Sequence, residues 1–486
     1  MKNKTAYLLL AAAVIIFISD TVQKLPYSPD DTFIYMQYAR NISDGHGFSF
    51  NAGEPSYGVT SPFWVIILTI PYFIGINAFW FSKILDLICA ILAVIVFYRF
   101  SKMLFDKNPG NFLPLLAASL FVLNIWFIRW SFTGMETNLA VFLMLLILFL
   151  YYRKSYNICF FLLGLFFLIR PEVFVLFLII LLAVIIEKYK SFKTEYKNIG
   201  LYIFLFALCA VPFLVFAELS FGTFLANTTL GKSTLTLNIN TITAQAAEIV
   251  KTLAPSSGVE IILSLVFLIF VFKNKSFRKY MVLILWPAGL LLLYVITDAD
   301  IISRYFMIII PVFTLLAVKT IEQMKNRMAG GVVLYILILV ISLFSFYRYV
   351  KPHTDNFSKG VEECLIPVGE WFDNNTPEDT RILVNDVGAI GYYSNRYVID
   401  AAALINRDLK LNREIMSTPL EERKNPYNLL KFVKADYVIE RDSSGEGIEL
   451  SIGDKKLEMV FYKVFPGLGI SDESPKYYKV YKVMQE

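Results

Sequence analysis

Long apolar runs divide this chain, and they restrict its fold more than any motif does. They fall near residues 6–22, 79–100, 112–130, 137–152, 156–169, 172–187, 199–219, 259–273, 280–297, 303–320 and 330–350. A bilayer core of about 30 Å takes about 20 apolar residues as a helix, and backbone polar groups left unpaired in lipid are costly. The runs therefore predict a polytopic α-helical membrane protein with about eleven transmembrane helices. Composition agrees: 57% of residues are hydrophobic and only 17% are charged, whereas soluble domains carry roughly 45–50% and about 25%.

Residues 61–76 begin Ser61-Pro62-Phe63-Trp64, contain Pro71 and are short for a span. Charge decides their placement. If they lie along the interface, the basic loops containing Arg99 and Lys102, Arg153 and Lys154, Lys188, Lys273 and Lys279, and Lys319 and Arg327 all share the side of the N-terminus. The positive-inside rule makes that side cytoplasmic. A multi-pass protein of a prokaryotic plasma membrane is expected, with a juxtamembrane helix over 61–76 in an outer loop, 23–78. The opposite face then gathers Asp30-Asp31, Thr133 to Glu136, Arg170-Pro171-Glu172, the loop 220–257, Asp298, Asp300, Arg304 and the tail. Residues 1–350 form the expected membrane domain and 351–486 an extracytoplasmic α/β domain, with a buried strand, a Gly turn and a helix start over Arg381 to Tyr393 and further strands near 435–440, 456–464 and 477–483.

Several function classes drop out. Basic residues sit in short topology-setting loops, which argues against a nucleic-acid partner. The four cysteines are scattered and the chain has two histidines, so neither a disulfide framework nor a histidine-rich metal site is expected. The N-terminal run lacks a small-residue cleavage site and reads as an uncleaved helix.

Asp30-Asp31 follows Ser28-Pro29 just beyond the first run. Adjacent carboxylates beside a membrane are costly unless they cap a helix, hold a cation or take up a proton. A capped helix is a rigid mount, so capping and general-base readings are compatible. Gly45-His46-Gly47 to Glu54 reads mainly as turn chemistry, with His46 as a packed or capping residue. Glu136 begins a helix on the same face. Arg170-Pro171-Glu172 is either a solvated turn or, through the Arg170 fork, a phosphate site. Lys232, after Asn227, and Arg304 are the other cations able to meet a phosphate, or else interfacial anchors. Asp298 and Asp300 read as loop-solvating.

These residues recur in a pattern. Asp30 to Asn41, Gly45 to Glu54, Tyr57 to Trp64, Gly134 to Thr137, Arg170 to Glu172, Asn227 to Lys232, Arg304-Tyr305, Asp386 to Tyr393 and Val398 to Asp400 follow it in order along nearly the whole chain. In this the protein resembles the GT-C superfamily of integral-membrane glycosyltransferases, which use polyprenyl-phosphate-linked sugars. The branch containing the terminal arabinofuranosyltransferases of mycobacterial cell-wall synthesis is the most similar. Ala226 and Ser56 depart from that pattern, so arabinose itself is not carried over.

The resemblance implies an inverting transfer of a sugar from a polyprenyl-phosphate donor to a hydroxyl of a cell-surface glycan, lipid or protein at the outer face. Asp30 would be the base, with Asp31 and Glu136 orienting the acceptor or holding a divalent cation (Mg, Mn or Ca). Arg170, Lys232 and Arg304 would stabilise the leaving phosphate. Arg40, His46, Glu54, Glu172 and Asn227 are expected to bind substrate. Two rivals are a lipid-linked oligosaccharide flippase, whose ionisable residues would line a path through mid-helix, and a glycan polymerase or ligase. The latter uses a lipid-pyrophosphate donor and would need more arginines.

Overall fold

The structure, a computed structural model, describes all residues except 1, 24–26, 106–109, 189–191, 228–237, 300, 407–408, 410–414, 416–424, 447–449, 453–454, 468–473 and 486. Among the described residues, six helices are long and apolar enough to cross a membrane: Lys4–Gln23, Ala78–Leu104, Tyr196–Phe221, Ile239–Lys273, Phe277–Ile296 and Arg327–Asn375. Large apolar side chains such as Ile15, Ile88, Phe204, Ile269 and Val340 point outward from them and are exposed. Such a surface is stable only against lipid. The chain is a multi-pass membrane protein.

Other expected spans are short helices: Thr137–Tyr152, Tyr156–Phe167, Val173–Lys188 and Ile310–Glu322. The run at 112–130 is broken into Phe112–Val122 and Ile125–Trp130. Asn124 causes the break. Its side-chain oxygen accepts from the Trp126 and Phe127 N–H groups, and its amide nitrogen donates to the Ser256 carbonyl. An Asn that caps the following segment competes with helix continuation, and here it is fully surrounded by protein, which permits broken helix at membrane depth.

Residues 61–76 form two short pieces, Pro62–Leu68 and Ile70–Ile74. Trp64, Val65 and Leu68 face inward while Ile66, Ile70, Phe73 and Ile74 are exposed. This two-faced segment is too short to span and suits a helix lying in an interface.

The last span does not stop at residue 350. It continues as one helix to Asn375, so the membrane domain and the tail are joined by continuous helix. Beyond it lies a six-stranded sheet, ordered β2-β1-β3-β6-β5-β4, where β1 is Arg381–Val384, β2 Tyr397–Asp400, β3 Tyr437–Asp442, β4 Leu450–Ile452, β5 Lys455–Phe465 and β6 Lys476–Gln485. β2, β1 and β3 run parallel, and the remaining pairs are antiparallel.

One face of this sheet closes over a small core of its own, including Leu383, Val438 and Tyr481. The other face packs Ile382, Val398, Ile439 and Tyr478 into a core that also holds Phe33, Tyr38, Phe50, Tyr57 and Trp64 from the 27–78 segment. The segment after the first span therefore folds with the C-terminal sheet as much as with the membrane helices. At the sheet edge the Asn51 side chain accepts from the Val398 N–H and donates to the Val398 carbonyl, both at 2.9 Å. It behaves like one residue of an added strand.

Asn51→Ala leaves the buried Val398 N–H without a partner, at a cost of about 1–3 kcal/mol, while the Val398 carbonyl keeps its bond from the Asn406 amide. The expected result is a clear drop in thermal unfolding temperature and faster proteolysis between the last span and the sheet. An unchanged melt would contradict this docking role.

Candidate active site

The helix Asp30–Ser43 starts directly after Pro29 and has Asp30 and Asp31 in its first turn. Carboxylates are favoured there by the exposed N–H groups and the helix dipole. Three buried bonds hold the entry to this helix. Ser28 Oγ and Thr32 Oγ1 both donate to the Thr133 carbonyl, and Lys83 Nζ donates to the Tyr27 carbonyl at 2.5 Å. Asp86, on the same membrane helix as Lys83, accepts from the Thr133 and Gly134 N–H groups and from Asn138 Nδ2. Gly134 lies at φ +83°, and a Cβ there would meet Ser82 Oγ at 2.6 Å. Lys83 and Asp86 are completely buried, and together they fix the Asp30 segment relative to the Glu136 turn.

Asp30 and Asp31 open onto a cavity of about 700 Å³ between the membrane helices and the C-terminal sheet. Of the residues expected to form a site, Asp30, Asp31, Arg170, Glu172 and Arg304 all line it. Arg304 Nη2 lies 2.5 Å from Asp31 Oδ2. Arg170 Nη2 lies 2.9 Å from Glu136 Oε1, behind the wall, where Glu136 is almost completely buried. The Tyr305 ring takes both guanidinium groups, at 5.5 Å from Arg304 and 5.2 Å from Arg170. Tyr294 donates to Glu172. The result is a row of alternating carboxylates and guanidiniums along one wall.

Asp30 is held differently. Its Oδ2 accepts from the Gly388 N–H at 2.9 Å and its Oδ1 from the Ala389 N–H at 2.7 Å. Both donors belong to the short helix that follows β1. A Cβ at Gly388 would sit 2.1 Å from the Asp30 carbonyl oxygen and 2.6 Å from its carboxyl carbon, so only glycine allows this approach. Burial pushes the Asp30 carboxyl up to about 7, helped by the negative charges of Asp386 and Asp31, while the two N–H bonds pull against it.

The remaining expected residues lie elsewhere. Arg40 is bonded to Gln37 and stacks on Tyr392 at 4.7 Å. His46 is exposed. The Glu54 carboxylate accepts from the Tyr397 hydroxyl at 2.6 Å, and Asn227 Nδ2 donates to the Leu404 carbonyl. Both contacts tie the first loop, or the segment after the Tyr196–Phe221 span, to the C-terminal domain. Lys232 and Asp300 lie outside the described residues.

Asp31 and Glu136, expected to share a cation, each face an arginine. Among the described residues no group of three His, Cys, Asp or Glu is placed to hold a metal. Residues the sequence did not single out as site candidates also line the cavity: Tyr35, Tyr294, Tyr305, Asn385, Asp386, Asp400 and Arg441. Tyr35, Tyr305, Asp386 and Asp400 fall within the motif pattern without being marked as site residues, and Tyr294, Asn385 and Arg441 carried no signal beyond position.

Solved structures share this fold. ArnT from Cupriavidus metallidurans bound to undecaprenyl phosphate aligns over 98% of this chain and 98% of its own, with a TM-score of 0.58 and 11% identity. The apo Archaeoglobus fulgidus oligosaccharyltransferase aligns over 90% of this chain and 69% of its own, with a TM-score of 0.58 and 13% identity. The chain has the GT-C fold. The A. fulgidus oligosaccharyltransferase AglB in complex with an inhibitory peptide and a dolichol-phosphate aligns over 89% of this chain and 69% of its own (TM-score 0.53, 12% identity). A third contains Zn and sulfate and aligns over 89% and 67% (TM-score 0.54, 13% identity). Residues 355–483 match a domain of unknown function, DUF8728. By sequence the chain matches no curated protein.

The buried pairing generates a stability prediction. Arg170→Ala leaves the Glu136 carboxylate buried without its cation, which costs about 3–5 kcal/mol. Adding Glu136→Gln to that variant is expected to recover much of the loss in thermal unfolding. Equal loss in the single and double variants would contradict the pairing.

Proposed function

We propose that the protein is an inverting glycosyltransferase. It moves a sugar from a polyprenyl-phosphate donor to a hydroxyl of a cell-surface glycan, lipid or protein at the outer face of a prokaryotic plasma membrane. The observation that carries this reading is the cavity itself. A carboxylate raised into the neutral range, Asp30, shares one space with Arg304 and Arg170. GT-C neighbours crystallised with undecaprenyl phosphate and with a dolichol-phosphate support the donor class. The basic loops on the N-terminal side support the orientation.

In this reading Asp30 takes the proton of the acceptor hydroxyl as its oxygen attacks the anomeric carbon. The bond from that carbon to the phosphate oxygen breaks, and the polyprenyl phosphate leaves with the electron pair. Attack from the face opposite the leaving group inverts the anomeric centre. A carboxylate has about four lone-pair sites, so two N–H bonds leave Asp30 able to accept a further proton.

Arg304 and Arg170 meet the charge that builds on the phosphate, where preorganised donors are most effective. Asp31 and Glu136 orient these arginines. Each pair is neutral as a whole, and its guanidinium is the part that meets the phosphate. The donor sugar is a pentose or a hexose, and both belong in a donor panel.

The test is donor turnover by purified protein in nanodiscs, with polyprenyl-phosphate-linked pentoses and hexoses. Asp30→Asn is expected to lower transfer by about 10²–10⁴-fold, the usual range for a lost general base. Because Asp30 must be ionised to act, the rate should rise as pH climbs through about 7 and level off above it. Activity that falls over that interval, or persists in Asp30→Asn, would remove Asp30 as the base. Arg304→Ala is expected to raise the donor KM more than the acceptor KM. EDTA should leave the rate within about twofold; a loss restored by Mg²⁺ would show that the arginines do not suffice.

A further inference from the structure

The cavity has two unlike walls. The membrane side carries Asp31, Arg304, Arg170 and Glu172, suited to a phosphate. The opposite wall comes from the C-terminal sheet, at the carboxyl ends of its three parallel strands. Asn385 and Asp386 follow β1, Asp400 ends β2, and Arg441 lies near the end of β3. Ligands of α/β sheets bind outside the carboxyl ends of parallel strands, where successive loops diverge.

Asp386 and Arg441 form the accessible part of this wall. Arg441 Nη1 lies 3.1 and 3.0 Å from the two Asp386 oxygens, and the Tyr478 hydroxyl donates to Asp386 at 2.6 Å. The pair is not sealed in: the Arg441 side chain is 35% exposed and that of Asp386 25%. A fixed carboxylate beside a guanidinium offers acceptors and donors together, which matches neighbouring hydroxyls on one ring. Asp386 and Asp400 against Arg441 leave this wall net negative, which disfavours an anionic partner. Val387, Ala402, Leu404 and Ile405 add apolar surface for the face of a ring.

We propose that Asp386 and Arg441 form the acceptor subsite, and that the acceptor is a neutral sugar held through two or more of its hydroxyls. This rests on the glycosyltransferase reading. It places the acceptor on the C-terminal wall, the donor phosphate on the arginine wall and Asp30 between them. Asp30 is bonded to the N–H groups of Gly388 and Ala389, two and three residues beyond Asp386, so a ring held by Asp386 brings a hydroxyl beside that carboxylate. Asp386 and Arg441 are specificity residues in this scheme, and the proton goes to Asp30.

The test uses the full-length protein in nanodiscs, with neutral methyl glycosides and the matching methyl uronides as acceptor probes and the same donor panel. Wild type should prefer neutral glycosides. Arg441→Lys, which keeps the charge but loses the fork, and Asp386→Asn, which keeps the shape, should each raise the acceptor KM tenfold or more and leave the donor KM within twofold. Saturation-transfer NMR of the methyl glycosides reads binding without chemistry. Loss of that signal in both variants supports the subsite. A preference for uronides, a larger shift in donor KM than in acceptor KM, or unchanged glycoside binding in both variants would overturn it. Glycoside binding that depends on Asp386 and Arg441 with no transfer from any donor would support the subsite and overturn the glycosyltransferase reading.

Discussion

The molecule depends on one contact, the Asp30 carboxylate against the Gly388 and Ala389 N–H groups. It joins the first turn of a juxtamembrane helix to the soluble sheet, across more than 350 residues of sequence. Without it the carboxylate would not be fixed between the two walls of the cavity. The contact also sets the electrostatics of the carboxylate. Burial and the nearby Asp386 and Asp31 favour the protonated form, and two N–H bonds oppose them. The balance leaves a group that can exchange a proton near neutral pH, as a general base requires.

The membrane half makes this contact possible by spending buried polar groups on position. Lys83 and Asp86 sit inside an apolar helix with no exposure, which is tolerable because their bonds go to the Tyr27–Ser28 entry, the Thr133–Gly134 turn and Asn138. Arg304 and Arg170 are likewise buried and matched by Asp31 and Glu136. Such pairs add little net stability compared with apolar packing. Their effect is geometric: two guanidiniums held beside one tyrosine ring, facing the same space as Asp30.

Much of this was legible in the sequence. In a chain this apolar, charges that do not set topology must gather where water or substrate reaches, which is why Asp30, Asp31, Arg170, Glu172 and Arg304 share a cavity. The tail strands were readable from alternation and β-branched residues. Asn124 was hidden because a capping Asn inside an apolar run looks like one polar residue in a span. The run at 330–350 gave no sign that its helix continues to Asn375, since the change from lipid-facing to soluble composition does not require a break in backbone. Lys83 and Asp86 did carry a signal, two charges within one apolar run, and only their tertiary partners reveal what they hold. Asp386 and Asp400 stood in the motif pattern and Arg441 did not, but none of the three could be placed on the cavity, because that placement comes from how the sheet docks. Glu54 and Asn227 show the converse: polar residues in outer loops whose bonds go to Tyr397 and Leu404 and hold that docking together.

The central claim is that this cavity adds a sugar to the cell surface through Asp30. The most direct measurement is the glycan composition of the envelope in a strain lacking the protein, complemented with wild type or with Asp30→Asn expressed at the same level. The account predicts that one sugar residue disappears in the deletion, returns with wild type and does not return with Asp30→Asn. An unchanged glycan profile in the deletion, or full restoration by Asp30→Asn, would contradict it.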